Sequence, residues 1–223
     1  MTSYLDILKC EKFEKYYEFL VSENEKYNLT AITEKEEVYV RHFFDSLHLE
    51  ELVDFDRALE ICDVGSGAGF PSIPIKIMHP NLKVTIIEPT LKRCKFLESL
   101  VSLLELDNVS IINKRAEDVR DLKFDIVCAR AVSNMQILLE LCMPLVKIHS
   151  KFYAMKGSSV DVEIKNAKCA LNTLNSKITK EYEYTLEKEG SILGTYKIIE
   201  VLKEKDISNK YPRPYSQIKK KPL

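Results

Sequence analysis

The chain reads as an α/β protein: a mostly parallel sheet with an antiparallel hairpin at its edge, preceded by a helical module. Three observations predict this. From residue 58 onward short apolar runs alternate with helical patterns, the signature of βαβ units. Before residue 58 the apolar spacing is helical. Toward the end two β-rich stretches follow one another with only a glycine-containing segment between them. The 223 residues, 45% hydrophobic and 30% charged, suffice for a large buried core.

In order, Leu5, Leu8, Phe13, Tyr16, Tyr17, Leu20 and Tyr27 recur at roughly helical spacing, and residues 1–27 contain no Gly or Pro, so a helix is expected there. A polar break at 28–33 follows, in which Asn28 either ends the helix or reaches a ligand cleft. Thr33-Glu34-Lys35-Glu36 has the form of a capping box and opens a second helix toward Leu52. On that helix His42 and Asp45 share a face. They either line a cleft or bond to each other and tie the helix to the sheet. Strands are expected at 58–64, 83–88, 109–112, 124–129 and 151–155, with helices at 73–78, 91–106, 134–147 and 160–174 between or after them. Residues 177–187 and 195–202, with Gly190 and Gly194 between, predict the edge hairpin. The final twenty residues, with Pro212, Pro214 and Lys219-Lys220-Lys221, read as an irregular basic tail. The expected organisation is a helical module at 1–57, a sheet domain at 58–203 and the tail at 204–223.

Charge is balanced overall, with a net charge of -1, but not along the chain. Residues 1–57 carry 7 basic and 14 acidic side chains, whereas the tail carries 6 and 2. An anionic partner would therefore meet basic patches, the tail among them, rather than a uniform field. No run approaches eighteen apolar residues and the first thirty are too polar for a signal peptide, so a cytoplasmic location and no membrane partner are expected. The six cysteines are dispersed, without a CxxC pair, and neither disulfides nor a metal site are expected.

The most informative segment is Leu59-Glu60-Ile61-Cys62-Asp63-Val64-Gly65-Ser66-Gly67-Ala68-Gly69-Phe70-Pro71. An apolar strand enters a glycine loop and then a helix whose early Pro71 and Pro74 suit a first turn. A nicotinamide-binding loop would place its third glycine at position 70, which is Phe. Asp63, Gly65, Gly67 and Gly69 instead have the spacing of the S-adenosylmethionine loop of class I methyltransferases, a Rossmann-like fold. Glu88, at the end of the second strand, is placed to accept from both ribose hydroxyls. Ala116 and Glu117, after the third strand, would meet the adenine, and Arg130 falls at the carboxyl edge of the sheet where ligands of open α/β folds bind. Lys156, after the fifth strand, either contacts phosphate or is a solvated edge charge. Cys128 has Val127 before it rather than Pro and is expected to be core packing. The Asn/Asp-Pro-Pro-aromatic motif of exocyclic amine methyltransferases is absent.

Taken together, 28-NLTAI-32, 42-HFFDSL-47, the loop from Asp63 to Pro74, Arg115-Ala116-Glu117, Ala129-Arg130-Ala131, Met155-Lys156-Gly157 and Tyr211-Pro212-Arg213 resemble the ribosomal RNA small subunit methyltransferase G family, also called glucose-inhibited division protein B. The resemblance implies transfer of a methyl group from S-adenosyl-L-methionine to N7 of a guanine in 16S rRNA, leaving S-adenosyl-L-homocysteine. It implies cofactor contacts at Gly65, Phe70, Ala116, Glu117 and Arg130, with Glu88 near the ribose, and 16S rRNA or the small subunit as partner, with no obligate protein partner.

Guanine N7 carries an in-plane lone pair, so no base must deprotonate it and no side-chain nucleophile is expected. Arg130 is the candidate for positioning; His42 and Asp45 are further candidates on the target-base side. Three other readings remain at this stage: a nicotinamide oxidoreductase, disfavoured by Phe70; a non-catalytic ribosome-assembly factor; and a small-molecule methyltransferase.

Overall fold

The computed structural model describes residues 2–57, 59–157 and 160–223. Ala58, where the first strand and the sheet domain were expected to begin, lies outside them. The strands are β1 Glu60–Val64, β2 Lys83–Ile87, β3 Val109–Ile112, β4 Phe124–Arg130, β5 Val146–Gly157, β6 Ser176–Lys188 and β7 Ser191–Lys203. They form one sheet in the order β3-β2-β1-β4-β5-β7-β6. The first five are parallel, and β7 and β6 run antiparallel at the edge. The order reverses between β1 and β4, so a crevice opens at the carboxyl ends of these two strands, where the glycine loop and Arg130 lie.

Helices cover both faces. Against one face lie the amino-terminal helices, whose Ile7, Phe13, Tyr16, Leu20, Phe43 and Leu47 are fully buried in one cluster with Ile61, Ile73, Val84 and Phe96. Phe19 stacks on Phe96 at 5.3 Å. Helices Met135–Cys142, Val160–Asn166 and Lys168–Thr173 cover the other face, supported by Leu138, Phe152, Ile199 and Ile218.

The helical module departs from expectation in two ways. The single helix over 1–27 is broken into Tyr4–Lys9 and Glu11–Tyr27 at Cys10, whose extended backbone ends one and starts the other. No Gly or Pro marks this break; it arises because Ile7 and Phe13 must both reach the core. The second helix is capped by Glu34 rather than Thr33: the Glu34 carboxylate accepts from the amides of Glu36 and Glu37 at 3.1 and 2.8 Å. It then runs as Lys35–Val38, widens to a π-helix over Tyr39–Phe44, and closes through Asp45–Leu47 and the 3-10 turn His48–Glu51. π-Helical segments often mark functional sites, and this one carries Arg41 and His42. Asn28 is the left-handed residue that ends Glu11–Tyr27.

Further along, the helix expected to 147 ends at Cys142, because a turn containing Pro144 leads directly into β5, which starts five residues earlier than expected. In the edge hairpin the turn is Glu189-Gly190, both at positive φ as a two-residue hairpin turn requires, whereas Gly194 lies within β7 opposite Leu186. The tail is not irregular. Residues Tyr215–Lys220 form a short helix with Ile218 fully buried, and Arg213 binds the buried Glu140 through both Nε and Nη2 at 2.7 and 2.6 Å. Among the described residues no helix is long and apolar enough to cross a membrane.

Candidate functional site

The loop after β1 holds Gly65, Gly67 and Gly69 at φ +74, +61 and +105, all in the region that favours glycine. Their surroundings differ. A Cβ at Gly67 would meet nothing within 4 Å, so its backbone faces open space. A Cβ at Gly69 would lie 2.7 Å from the Tyr16 hydroxyl and 2.8 Å from Ile73, so this glycine lets the loop close on the helical module. Tyr16 completes that contact by donating its hydroxyl to the Ala68 carbonyl.

Glu88 follows β2 and is 1% exposed. One of its carboxylate oxygens accepts from the Gly67 amide at 3.2 Å and the other from the Thr90 amide at 2.9 Å. A carboxylate offers about four lone-pair sites, so each oxygen keeps one free for a vicinal diol. Glu88, Gly65, Ala116 and Glu117 line one cavity, together with Arg115 and Tyr215 of the tail. The Arg115 guanidinium lies over the Tyr215 ring, 5.3 Å from its centroid. Loop backbone left open at Gly67, a carboxylate with two free acceptor sites and a small residue at Ala116 fit a ribosyl adenine.

Asp63 is placed otherwise than the sequence suggests. It is fully buried behind the loop, where Oδ2 accepts from the Ser72 amide at 3.2 Å and anchors the start of helix Ser72–Met78. Burial pushes its carboxyl up to about 7. Asp63 and Gly69 therefore shape the loop from behind and do not line the cavity.

Arg130, the last residue of β4, is the junction of the site. Its Nη1 donates to Asp45 Oδ2 at 2.7 Å and to the Arg41 carbonyl at 3.2 Å, and its Nη2 lies 3.0 Å from His42 Nδ1. The guanidinium sits 4.8 Å from the Phe70 ring centroid, and the His42 ring stacks on the same Phe70 at 4.6 Å. His42 Nδ1 lies between the Arg130 guanidinium and the Arg41 carbonyl, 3.1 Å away; because a guanidinium only donates, Nδ1 accepts, the carbonyl contact carries no hydrogen, and Nε2–H points to Thr30 Oγ1 at 2.9 Å. Burial, then the Arg130 charge, lower the His42 pKa to about 3, so the ring is neutral. Asp45 is held from a second side by the Tyr184 hydroxyl at 2.6 Å. His42 and Asp45 thus meet on Arg130 rather than on each other. The next residue, Ala131, has φ +54, an uncommon backbone for a residue with a Cβ.

Three cavities converge on this junction. The cavity of Glu88 and Ala116 and the loop cavity share Gly65, Arg93 and Ala131, and the loop cavity shares His42, Arg130 and Ala131 with a recess between the helical module and the edge hairpin. Lys156 lines that recess, fixed by Glu163 at 2.7 Å and the Ser133 carbonyl at 2.8 Å.

The rRNA small subunit methyltransferase G model, GidB, matches residues 9–192 of the chain. The chain belongs to this family. The ribosomal RNA small subunit methyltransferase G of Bacillus cytotoxicus is 47% identical over 221 residues, which is 96% of this chain and 91% of that protein, and that of Bacillus anthracis matches to the same extent. The fold of this family member is also that of solved methyltransferases. The M. jannaschii TYW2 in complex with AdoMet superposes with a TM-score of 0.53 at 18% identity, covering 70% of this chain and 74% of that one. The precorrin-6y C5,15-methyltransferase of Geobacter metallireducens gives 0.54 at 15% identity, over 81% and 96%. The architecture is the class I methyltransferase fold.

Gly65, Gly67, Phe70, Glu88, Ala116, Glu117 and Arg130, which sequence reasoning singled out, are brought around the converging cavities, with His42 and Asp45 holding Arg130. Cys128 is fully buried, as core packing requires. Sequence reasoning missed Tyr184, Tyr196 and Tyr215, and gave Thr30 no role beyond its place in the 28–32 motif. A signal existed for the hairpin pair: Tyr182 and Tyr184 alternate along β6, and Tyr196 lies opposite Tyr184 on β7, so they build one aromatic face.

Proposed function

We propose that this small subunit methyltransferase G family member transfers the methyl group of S-adenosyl-L-methionine to N7 of a guanine in 16S rRNA, presented as RNA or within the small subunit in the cytoplasm. The observation that carries the reading is the state of the junction. Its acids and bases are engaged: both oxygens of Asp45 and both nitrogens of His42 have partners, and His42 is held neutral. A reaction at a proton-bearing nitrogen would need a free base there. Guanine N7 attacks through its own lone pair, and the protein then has only to align the partners, which contributes several kcal/mol when reacting atoms are held at near-attack distance.

S-adenosylmethionine, when bound, supplies a sulfonium-activated methyl group. Glu88 would take the ribose hydroxyls, the Ala116 amide and Glu117 the adenine, and the Gly65 to Gly67 backbone the methionine end. Arg130 would form the wall between cofactor and base, held rigid from two sides. The functional division follows: residues 1–57 supply the brace on Arg130, 58–203 hold the cofactor, and 204–223 close its adenine end and meet RNA. A guanine in A-form duplex would present N7 in a deep, narrow groove, so the target is an unpaired or splayed base. Tritium-labelled S-adenosylmethionine incubated with small subunits lacking the modification, and separately with free 16S rRNA, tests this. Label is expected in 16S rRNA from at least one; cofactor binding without label transfer to either contradicts the reading.

A further inference from the structure

The recess between the helical module and the edge hairpin opens on Arg130 and Ala131, the residues it shares with the loop cavity, and is walled by Ile32, Met155, Tyr184 and Tyr196 with Arg41 and Lys156 at its rim. We propose that it is the subsite for the target guanine base, with Tyr196 as the stacking platform and Arg41 as the donor to O6. This rests on the guanine-N7 reading above and adds what holds the base and what selects it.

Tyr196 is preset for stacking. It lies directly across from Tyr184 in the hairpin register, and the two rings stack at 5.8 Å and 27°. Tyr184 is buried and its hydroxyl is committed to Asp45, whereas Tyr196 is only partly buried and forms the open end of the stack. Gly194 makes this possible: a Cβ there would stand 3.1 Å from Cε2 and from the hydroxyl of Tyr196, tighter than ordinary contacts, so the ring lies across bare backbone. N7 methylation leaves a positive charge on the purine, and the π face of a tyrosine attracts cations.

Selection follows from which donors are free. Both terminal nitrogens of Arg130 are engaged, by Asp45, the Arg41 carbonyl and His42, and Lys156 is held by Glu163 and Ser133. The Arg41 side chain is 29% exposed and makes no hydrogen bond among the described residues; its Nε is turned inward, 3.8 Å from a Glu37 carboxylate oxygen, which leaves the terminal nitrogens as the donors. Guanine presents N7 and O6 on its Hoogsteen edge. N7 must stay unbonded to attack, so O6 is the acceptor left to satisfy. Adenine presents an amino donor at that position, which a guanidinium rejects.

The test uses the full chain saturated with S-adenosylhomocysteine and titrated with 7-methylguanosine 5′-monophosphate, observed by proton NMR. In the wild type, ring protons of one tyrosine and the N7-methyl protons show intermolecular NOEs, and Tyr196→Phe, which changes that spin system, assigns the signal. Tyr196→Leu lowers kcat/KM on small subunits about 10- to 100-fold, the usual worth of a stacked base, while Tyr196→Phe stays within about threefold, and S-adenosylhomocysteine affinity holds in both. Arg41→Met removes the preference for 7-methylguanosine over 7-methyladenosine monophosphate. NOEs to a different residue, or equal activity of Tyr196→Leu and wild type, overturn the subsite. A wild-type enzyme that methylates another atom or base would overturn the guanine-N7 reading instead, which the product analysis reports separately.

Discussion

Asp45 and Arg130 come from regions 85 residues apart and meet at 2.7 Å, with 8% and 14% of their side chains exposed. The pair joins the helical turn that follows the π-helical segment to the end of β4, and Tyr184 extends it to the edge hairpin. Removing Arg130 therefore costs stability as well as the positioning role that the sequence suggests for it. Arg130→Ala leaves a buried carboxylate with one lost partner, and breaking a buried pair costs about 3–5 kcal/mol. The double variant Arg130→Ala/Asp45→Ala is expected to lose less stability than the sum of the singles, and to be inactive. Chemical denaturation of the four proteins measures it; additive losses would show that the pair is not coupled.

Gly67 separates cofactor binding from folding. Its φ of +61 costs a side-chain-bearing residue about 1–2 kcal/mol, which a domain of this size tolerates, and its open side is where the proposed site would bring the cofactor to the backbone. Gly67→Val is expected to fold and to lose S-adenosylhomocysteine affinity at least about tenfold by calorimetric titration, taking the loss of one close approach as 1.4 kcal/mol or more. Unchanged affinity would move the cofactor away from the loop.

Two buried groups give opposing pH dependences. His42 has its pKa lowered to about 3, so between that value and its unfolded pKa near 6.5 the unfolded chain binds more protons and stability rises with pH. Asp63 is raised to about 7, so between its unfolded value near 3.9 and 7 the folded chain binds more protons and stability falls with pH. In wild type these contributions offset over much of that range. Asp63→Asn keeps an acceptor for the Ser72 amide and removes only the second, so its stability should climb from pH 4 to 6 by up to about 1.4 kcal/mol per unit relative to wild type. Parallel curves for the two proteins would deny Asp63 its raised pKa.

If the tail meets RNA through its lysines, deleting it would not isolate that role, because Ile218 is buried, the Leu223 carbonyl accepts from Gln136, and Tyr215 lines the cavity of Glu88 and Ala116. Replacing Lys219, Lys220 and Lys221 by Gln leaves that packing in place. The log-log dependence of RNA affinity on salt should flatten by up to about two to three units, with cofactor affinity unchanged. Identical slopes would mean that these lysines only solvate the chain end.

The strands were legible in sequence because each is a short apolar run ending at a polar or glycine-rich turn, and the loop because its glycines repeat at fixed spacing. The break at Cys10 was not legible, since it is set by where Ile7 and Phe13 must reach rather than by any local residue. Nor was the role of Asp63 or Gly69: spacing places both in the loop but does not say which side of it faces the ligand. The brace on Arg130 joins residues 30, 42, 45, 70 and 184, and such a long-range assembly has no sequence period.

The most direct measurement is the identity of the methylated atom. After incubation with unlabelled S-adenosylmethionine and small subunits lacking the modification, 16S rRNA is reduced with borohydride and treated with aniline, which cleaves the chain at N7-methylguanosine. A single new scission at a guanine, lost in Arg130→Ala, is the predicted result. Methyl transfer to 16S rRNA without scission, or to a base other than guanine, would contradict it.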